Sequence, residues 1–135
     1  MEILCLLDTN TVSYAIADNP PKVGIRLAVA GRSSTAISTV TEAELRYGVA
    51  RNPGALRRRA SVESFLDDAV VLPWDSVAAR MYGELRANQE RKGRPLTVED
   101  LMIAAHALSL GLTLVTHDSA FSFVDGLKTE DWTIA

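Results

Sequence analysis

The sequence holds a single cysteine, no long apolar run and no strong excess of either charge. Each shortage removes a class of protein. Cys5 alone cannot close an internal disulfide, and no Cys-x-x-Cys pair is present for zinc or redox chemistry. The apolar stretch Ile3 to Leu7 is interrupted by Asp8. That is short of the roughly 7–15 residues of a signal peptide and the about 18 of a membrane helix. These features predict a cytosolic protein with no membrane partner. Lys and Arg number 14 against 17 Asp and Glu, a net charge of −3, so the chain is neither strongly basic nor an acidic tail. With 47% hydrophobic and 23% charged residues in 135, the composition fits one globular domain spanning 1–135 and excludes disorder, collagen and coiled coil.

What is present is an alternation of short apolar runs with helical patterns. Ile3–Leu7 is apolar on both faces, as a fully buried strand is. Similar strands are expected at Thr35–Ser38, Val70–Leu72 and Leu112–Thr116, with a short fifth at Trp132–Ile134. Helices are expected from Thr9 or Asn10 as cap to Ala17, over Lys22–Ala30, and from Thr39 or Thr41 to about Ala50. Others fit Ala55–Asp68, Ser76 to about Arg91, and Thr97–Leu110 with Gly111 as its stop. Strands alternating with helices predict an α/β fold: a central parallel sheet of four to five strands flanked by helices on both sides. In such sheets ligands lie outside the carboxyl ends of the strands.

Acids collect at those ends. Asp8 directly follows the first strand, and Asp118 follows the fourth with His117 between. Glu44 lies early in the helix after the second strand, sharing a face with Val40, Tyr47 and Gly48. Asp100 opens the most apolar helix, on the face of Ile103, Ala104 and Ala107. Each has an ordinary reading too: Asp is a common turn and cap residue, Thr41 with Glu44 fits a capping box, and Thr97 could pair with Asp100. Gathered at one edge, however, four carboxylates would repel unless a cation sat among them. Oxygen ligands without Cys or paired His favour Mg²⁺ or Mn²⁺ over zinc. Such ions serve phosphodiester hydrolysis.

Five segments occur in order: Leu7-Asp8-Thr9-Asn10, Glu44-Leu45-Arg46-Tyr47-Gly48, Glu99 to Ala107, Leu114-Val115-Thr116-His117-Asp118, and Gly126 to Trp132. Together they resemble the PIN-domain ribonucleases, specifically the VapC toxins of bacterial toxin–antitoxin pairs. The resemblance spans the whole chain. It implies one PIN fold and a Mg²⁺- or Mn²⁺-dependent endoribonuclease acting on RNA, with transfer RNA a target of several relatives. It implies a homodimer, inhibition by a VapB antitoxin, and contact with operator DNA only through that antitoxin. Carried over by position, Asp8, Glu44 and Asp100 match the core acids and Asp118 the fourth, where many relatives have Asn. Thr9, Asn10, Ser38 and Thr116 match polar positions lining the pocket. A water acidified by the ion would attack phosphorus in line, with Asp118 or Glu44 taking its proton.

Other readings make distinct demands. A metal-free ribonuclease would use His106 and His117, although His106 sits on an apolar helix face. An aspartyl-phosphate phosphatase needs Asp-x-Asp, and Asn10 stands two residues after Asp8. A housekeeping PIN nuclease would lack an antitoxin, and a binding module would hold RNA or antitoxin without cutting. Basic residues at Arg51, Arg57, Arg58 and Arg59, and at Arg86, Arg91, Lys92 and Arg94, are candidate phosphate contacts or solvated helix faces. A pocket of four acids also suits an antitoxin Arg, which binds carboxylates bidentately. The helix Ala55–Asp68 and the one after Lys22 offer faces for a partner helix.

Overall fold

Each short apolar run forms a strand because its two faces meet different layers of helices. In the computed structural model, which describes residues 2–94 and 96–134, the strands are β1 (Cys5–Leu7), β2 (Thr35–Ser38), β3 (Val70–Leu72), β4 (Thr113–Val115) and β5 (Thr129–Glu130). All pair in parallel, in the order β3-β2-β1-β4-β5. The helices are α1 (Thr9–Ala17), α2 (Pro21–Ala30), α3 (Thr39–Ala50), α4 (Leu56–Asp68), α5 (Ser76–Lys92) and α6 (Val98–Leu110).

Side chains alternate across the sheet, as a pleated strand requires. Cys5, Leu7, Ile37 and Val115 point into one core with Val12 of α1, Val23 and Leu27 of α2, Leu45 of α3 and Phe65 of α4. Leu6, Ala36 and Leu114 point into the other, against Leu85 of α5 and the apolar residues of α6. The α6 sequence is apolar nearly all round because it is buried: Leu101, Ile103, Ala104, Ala105, His106 and Ala107 are all inaccessible. Gly111 ends it at φ +66, a conformation that glycine adopts without steric cost, and the chain turns directly into β4.

Most boundaries fall within a residue or two of expectation, and two differences bear on the site. The fifth strand is Thr129–Glu130, not Trp132–Ile134. Trp132 is apolar because it fills the core beside Val115, not because it pairs in the sheet. The cap of α1 also shifts by one residue. Asp8, not Thr9 or Asn10, caps α1, its Oδ1 accepting from Thr11 N at 2.8 Å. Ser38 caps α3 by accepting from Val40 N at 3.0 Å, and the helix opens at Thr39, the first of the two expected starts. In both places the strand runs into the helix without a loop, so the last strand-side residue is also the cap. Thr97 caps α6 as the sequence indicates, accepting from Asp100 N at 3.1 Å. No helix of the described residues is long and apolar enough to cross a membrane.

Candidate active site

Strand order reverses at β1, whose neighbours are β2 on one side and β4 on the other. A crevice opens outside the carboxyl ends of strands at such a switch. Asp8 stands at the end of β1, buried at 4% exposure, with its backbone N–H donating to Val115 O of β4 at 3.0 Å. Asp118 stands beyond β4, its backbone N–H donating to Thr116 Oγ1 at 3.0 Å and its Oδ1 accepting from Ala120 N at 2.9 Å. Ser38 closes β2 and starts α3, which carries Glu44. Because α6 runs directly into β4, its first turn lies at the opposite end, by the carboxyl edge of the sheet, and Asp100 is in that turn.

The structure therefore brings the four acids to one edge. The clearest sign is Asp100, whose carboxyl is pushed up by burial first and then by Asp118, Asp8 and Glu44, against a downward pull from the Thr97 hydroxyl. Carboxylates from three other elements thus act on Asp100. Thr9 links two of these elements: its hydroxyl donates to Glu44 Oε1 at 2.7 Å and lies 3.1 Å from Thr41 Oγ1. A Cβ added at Gly48, one turn beyond Glu44, would meet nothing, so that side of the helix is open.

Convergence is incomplete. Among the described residues, no three Asp, Glu, His or Cys side chains stand close enough to ligate one ion as they are. Protein donors take the first oxygens instead: Thr11 N on Asp8, Thr9 on Glu44 and Ala120 N on Asp118. The donor set still fits a hard divalent cation, being all oxygen and sharing one electrostatic field.

The polar candidates separate. Thr9 and Thr116 each hold an acid or its backbone, and Ser38 caps the helix that carries Glu44. Asn10 is exposed on α1, and none of the side-chain hydrogen bonds among the described residues involves it. The two histidines do not pair. His106 is buried in the α6 core beside Asp75 and Pro73, and burial drives its pKa down. His117 stands at the edge, its Nδ1 2.8 Å from Asp131 Oδ2. Asp131 raises its pKa most, with Asp118 and Asp8 adding to the effect.

A match to the PIN domain covers residues 5–127. The chain is 40% identical over 128 residues to the tRNA(fMet)-specific endonuclease VapC of Shigella flexneri, covering 94% of this chain and 96% of that one. The chain belongs to the VapC group of the PIN-domain family. Among solved structures, the VapC-type fold recurs in the DNA-bound VapBC of Salmonella typhimurium, at TM-score 0.90 and 37% identity over 96% of this chain and 98% of that one. It recurs too in VapBC2 of Rickettsia felis bound to a promoter DNA fragment, at TM-score 0.89 and 31% identity, covering 96% and 99%.

Several residues of this VapC-type site escaped the sequence reading. Thr41 and Thr11 are buried polar residues that tie α3 to Thr9 and α1 to Val115 O. Asp131 and Thr133 reach His117 from beyond β5. Only the strand register, which a single sequence does not display, puts them there. Several of the basic residues already have intramolecular partners. Arg86 meets Glu90 and Tyr82, Lys92 meets Asp125, Arg94 lies over Phe123 and Arg51 over Tyr47. Arg57 and Arg59 remain exposed on α4.

Proposed function

We propose that this chain is the toxin of a VapBC-type pair: an endoribonuclease that hydrolyses RNA phosphodiester bonds with Mg²⁺ or Mn²⁺ and is restrained by a VapB-type antitoxin. One observation carries this reading: Asp8 and Asp118 stand at the carboxyl edge by the switch point of the sheet, with Asp100 in the first turn of α6 and Glu44 tied to the start of α1 through Thr9. Similarity to proteins named as ribonucleases supports it.

Asp8, Glu44, Asp100 and Asp118 are the residues that would hold the ion. When bound, a divalent ion supplies an acidified water and positive charge for the developing oxyanion. The chain's own residues do the placing. Thr9 aims Glu44, Thr116 fixes the backbone of Asp118, and Ser38 fixes the start of α3. Asp118 or Glu44 orients the attacking water and takes its proton.

Large apolar side chains on α2 and α4 suit an antitoxin, with Val29 81% and Leu56 69% exposed. A groove of about 730 Å³ runs between α1 and α4, lined by Ile16, Ala17, Ala55, Leu56 and Arg58. An antitoxin anchored on these helices would place an Arg among the four acids by a further segment, in competition with the metal. DNA reaches this chain only through that antitoxin, as suits its likeness to DNA-bound VapBC assemblies.

Protein purified free of antitoxin is expected to cut RNA with Mg²⁺ or Mn²⁺ and to stop in EDTA. Transfer RNA, the substrate in the name of the Shigella flexneri relative, is the first to test. Full cleavage in EDTA would contradict the metal reading.

A further inference from the structure

Resting on the nuclease reading above, we infer that His117 contacts the substrate, its Nε2 hydrogen-bonding a ribose 2′-hydroxyl, with Asp131 and Thr133 as its positioning residues. This makes His117 a determinant of RNA over DNA.

The register between β4 and β5 pairs Val115 with Glu130, and Thr116 N donates to Glu130 O at 2.8 Å. Residues just beyond these pairs leave the sheet side by side, at the edge that holds Asp8 and Asp118. Asp131 directly follows Glu130, and His117 is the second residue after Val115. Asp131 is firmly set: its Oδ1 accepts from Thr133 N at 2.8 Å and from the Thr133 hydroxyl at 2.6 Å. Between the two, Trp132 is buried in the core, so the segment has a rigid base.

The imidazole is fixed by this base while remaining open. A carboxylate can only accept, so Nδ1 carries the proton and donates to Asp131 Oδ2 at 2.8 Å, with Thr133 Oγ1 at 3.1 Å sharing it. The side chain is nevertheless 58% exposed. Fixing an exposed ring costs rotamer freedom that a merely solvated residue keeps. Nε2 is the ring nitrogen that this arrangement leaves available.

The chemistry of Nε2 selects its partner. Bearing a lone pair, it accepts; bearing a proton, it donates. A phosphate oxygen only accepts, so it pairs with one form alone. A 2′-hydroxyl both donates and accepts, so it pairs with either form, and DNA lacks it. The nucleotide beside a phosphate held by a cation on the four acids would present that hydroxyl.

Amide variants separate this role from a structural latch. In His117→Asn the side-chain amide takes the place of Nδ1 and keeps the bond to Asp131. In His117→Gln it takes the place of Nε2. The probes are an RNA oligonucleotide and its DNA counterpart, with affinities measured with Ca²⁺ in place of Mg²⁺ and read before cleavage, so that the acids keep a hard cation. Wild type is expected to prefer RNA. His117→Asn is expected to lose about three- to tenfold of RNA affinity, as for one ordinary hydrogen bond, with DNA affinity unchanged. His117→Gln is expected to keep the preference. Loss in both variants, with DNA affinity and melting temperature intact, supports the contact equally, the ring itself then being required. An unaltered RNA preference in His117→Asn overturns the inference, as does a parallel fall for RNA and DNA or a lowered melting temperature in both variants. Equal wild-type affinity for RNA and DNA overturns the inference alone; no wild-type affinity for RNA overturns the nuclease reading with it.

Discussion

The hydroxyl of Thr9, in the first turn of α1, donates to Oε1 of Glu44 on α3 at 2.7 Å. An acid that follows the second strand is thus aimed by the helix that follows the first. Removing this bond should loosen Glu44 without loosening the fold. Thr9→Val is expected to weaken Mn²⁺ binding several-fold while changing stability by about 1 kcal/mol, the net worth of one hydrogen bond. Thr9→Ser should restore the affinity. Calorimetric Mn²⁺ titration of the two variants tests this. Equal affinity in Thr9→Val and wild type would remove Glu44 positioning from the account.

Asp100 carries the mutual repulsion of the site. Burial, then Asp118, Asp8 and Glu44, hold its carboxyl above the ordinary range. The folded protein therefore holds that proton more tightly than the unfolded chain does. Its contribution to stability falls as pH rises from the ordinary carboxylate value to the raised one, and the loss is complete above that. At neutral pH in EDTA, Asp100→Asn is expected to melt higher than wild type. Adding Mg²⁺ should raise the melting temperature of wild type more than that of the variant. A variant that melts lower in EDTA would show Asp100 to be chiefly a helix-terminal stabiliser.

His106 gives a pH dependence of the opposite sense, remote from the acids. Burial lowers its pKa, against smaller opposing effects of Asp75 and the Pro73 carbonyl, and among the described residues its Nδ1 has no hydrogen-bond partner. The unfolded chain protonates this imidazole first, near a pH of about 6.5. Stability from His106 is then present above that value and is lost as pH falls toward the depressed folded value. His106→Gln should flatten this part of the profile. Urea midpoints at pH 7.5 and 5.5 check it, the expected difference between the two pH values being smaller in the variant. An unchanged difference would place the acid sensitivity elsewhere.

Much of this arrangement was legible because parallel strands force it. Apolar runs without alternation mark strands covered on both faces, so Asp8 and Asp118 had to emerge at one edge. Asp100 had to join them because its helix feeds directly into β4. That Asp8 serves two purposes was not legible. A sequence does not show that β1 meets α1 with no loop, which makes Asp8 both a site acid and a helix cap. Nor did it show the fifth strand, since Trp132 looks apolar for a reason of packing. The contact of His117 with Asp131 depends on the β4–β5 register, which no local pattern encodes.

The central claim is that Asp8, Glu44, Asp100 and Asp118 share one divalent cation. Isothermal titration of Mn²⁺ into the antitoxin-free protein tests it most directly, with Asp8→Asn and Asp100→Asn alongside. Asn is itself a good N-cap, so Asp8→Asn should keep α1 intact. The account predicts saturable binding to wild type that both variants lose, with their melting temperatures in EDTA no lower than wild type. Wild-type Mn²⁺ affinity in both variants would contradict it.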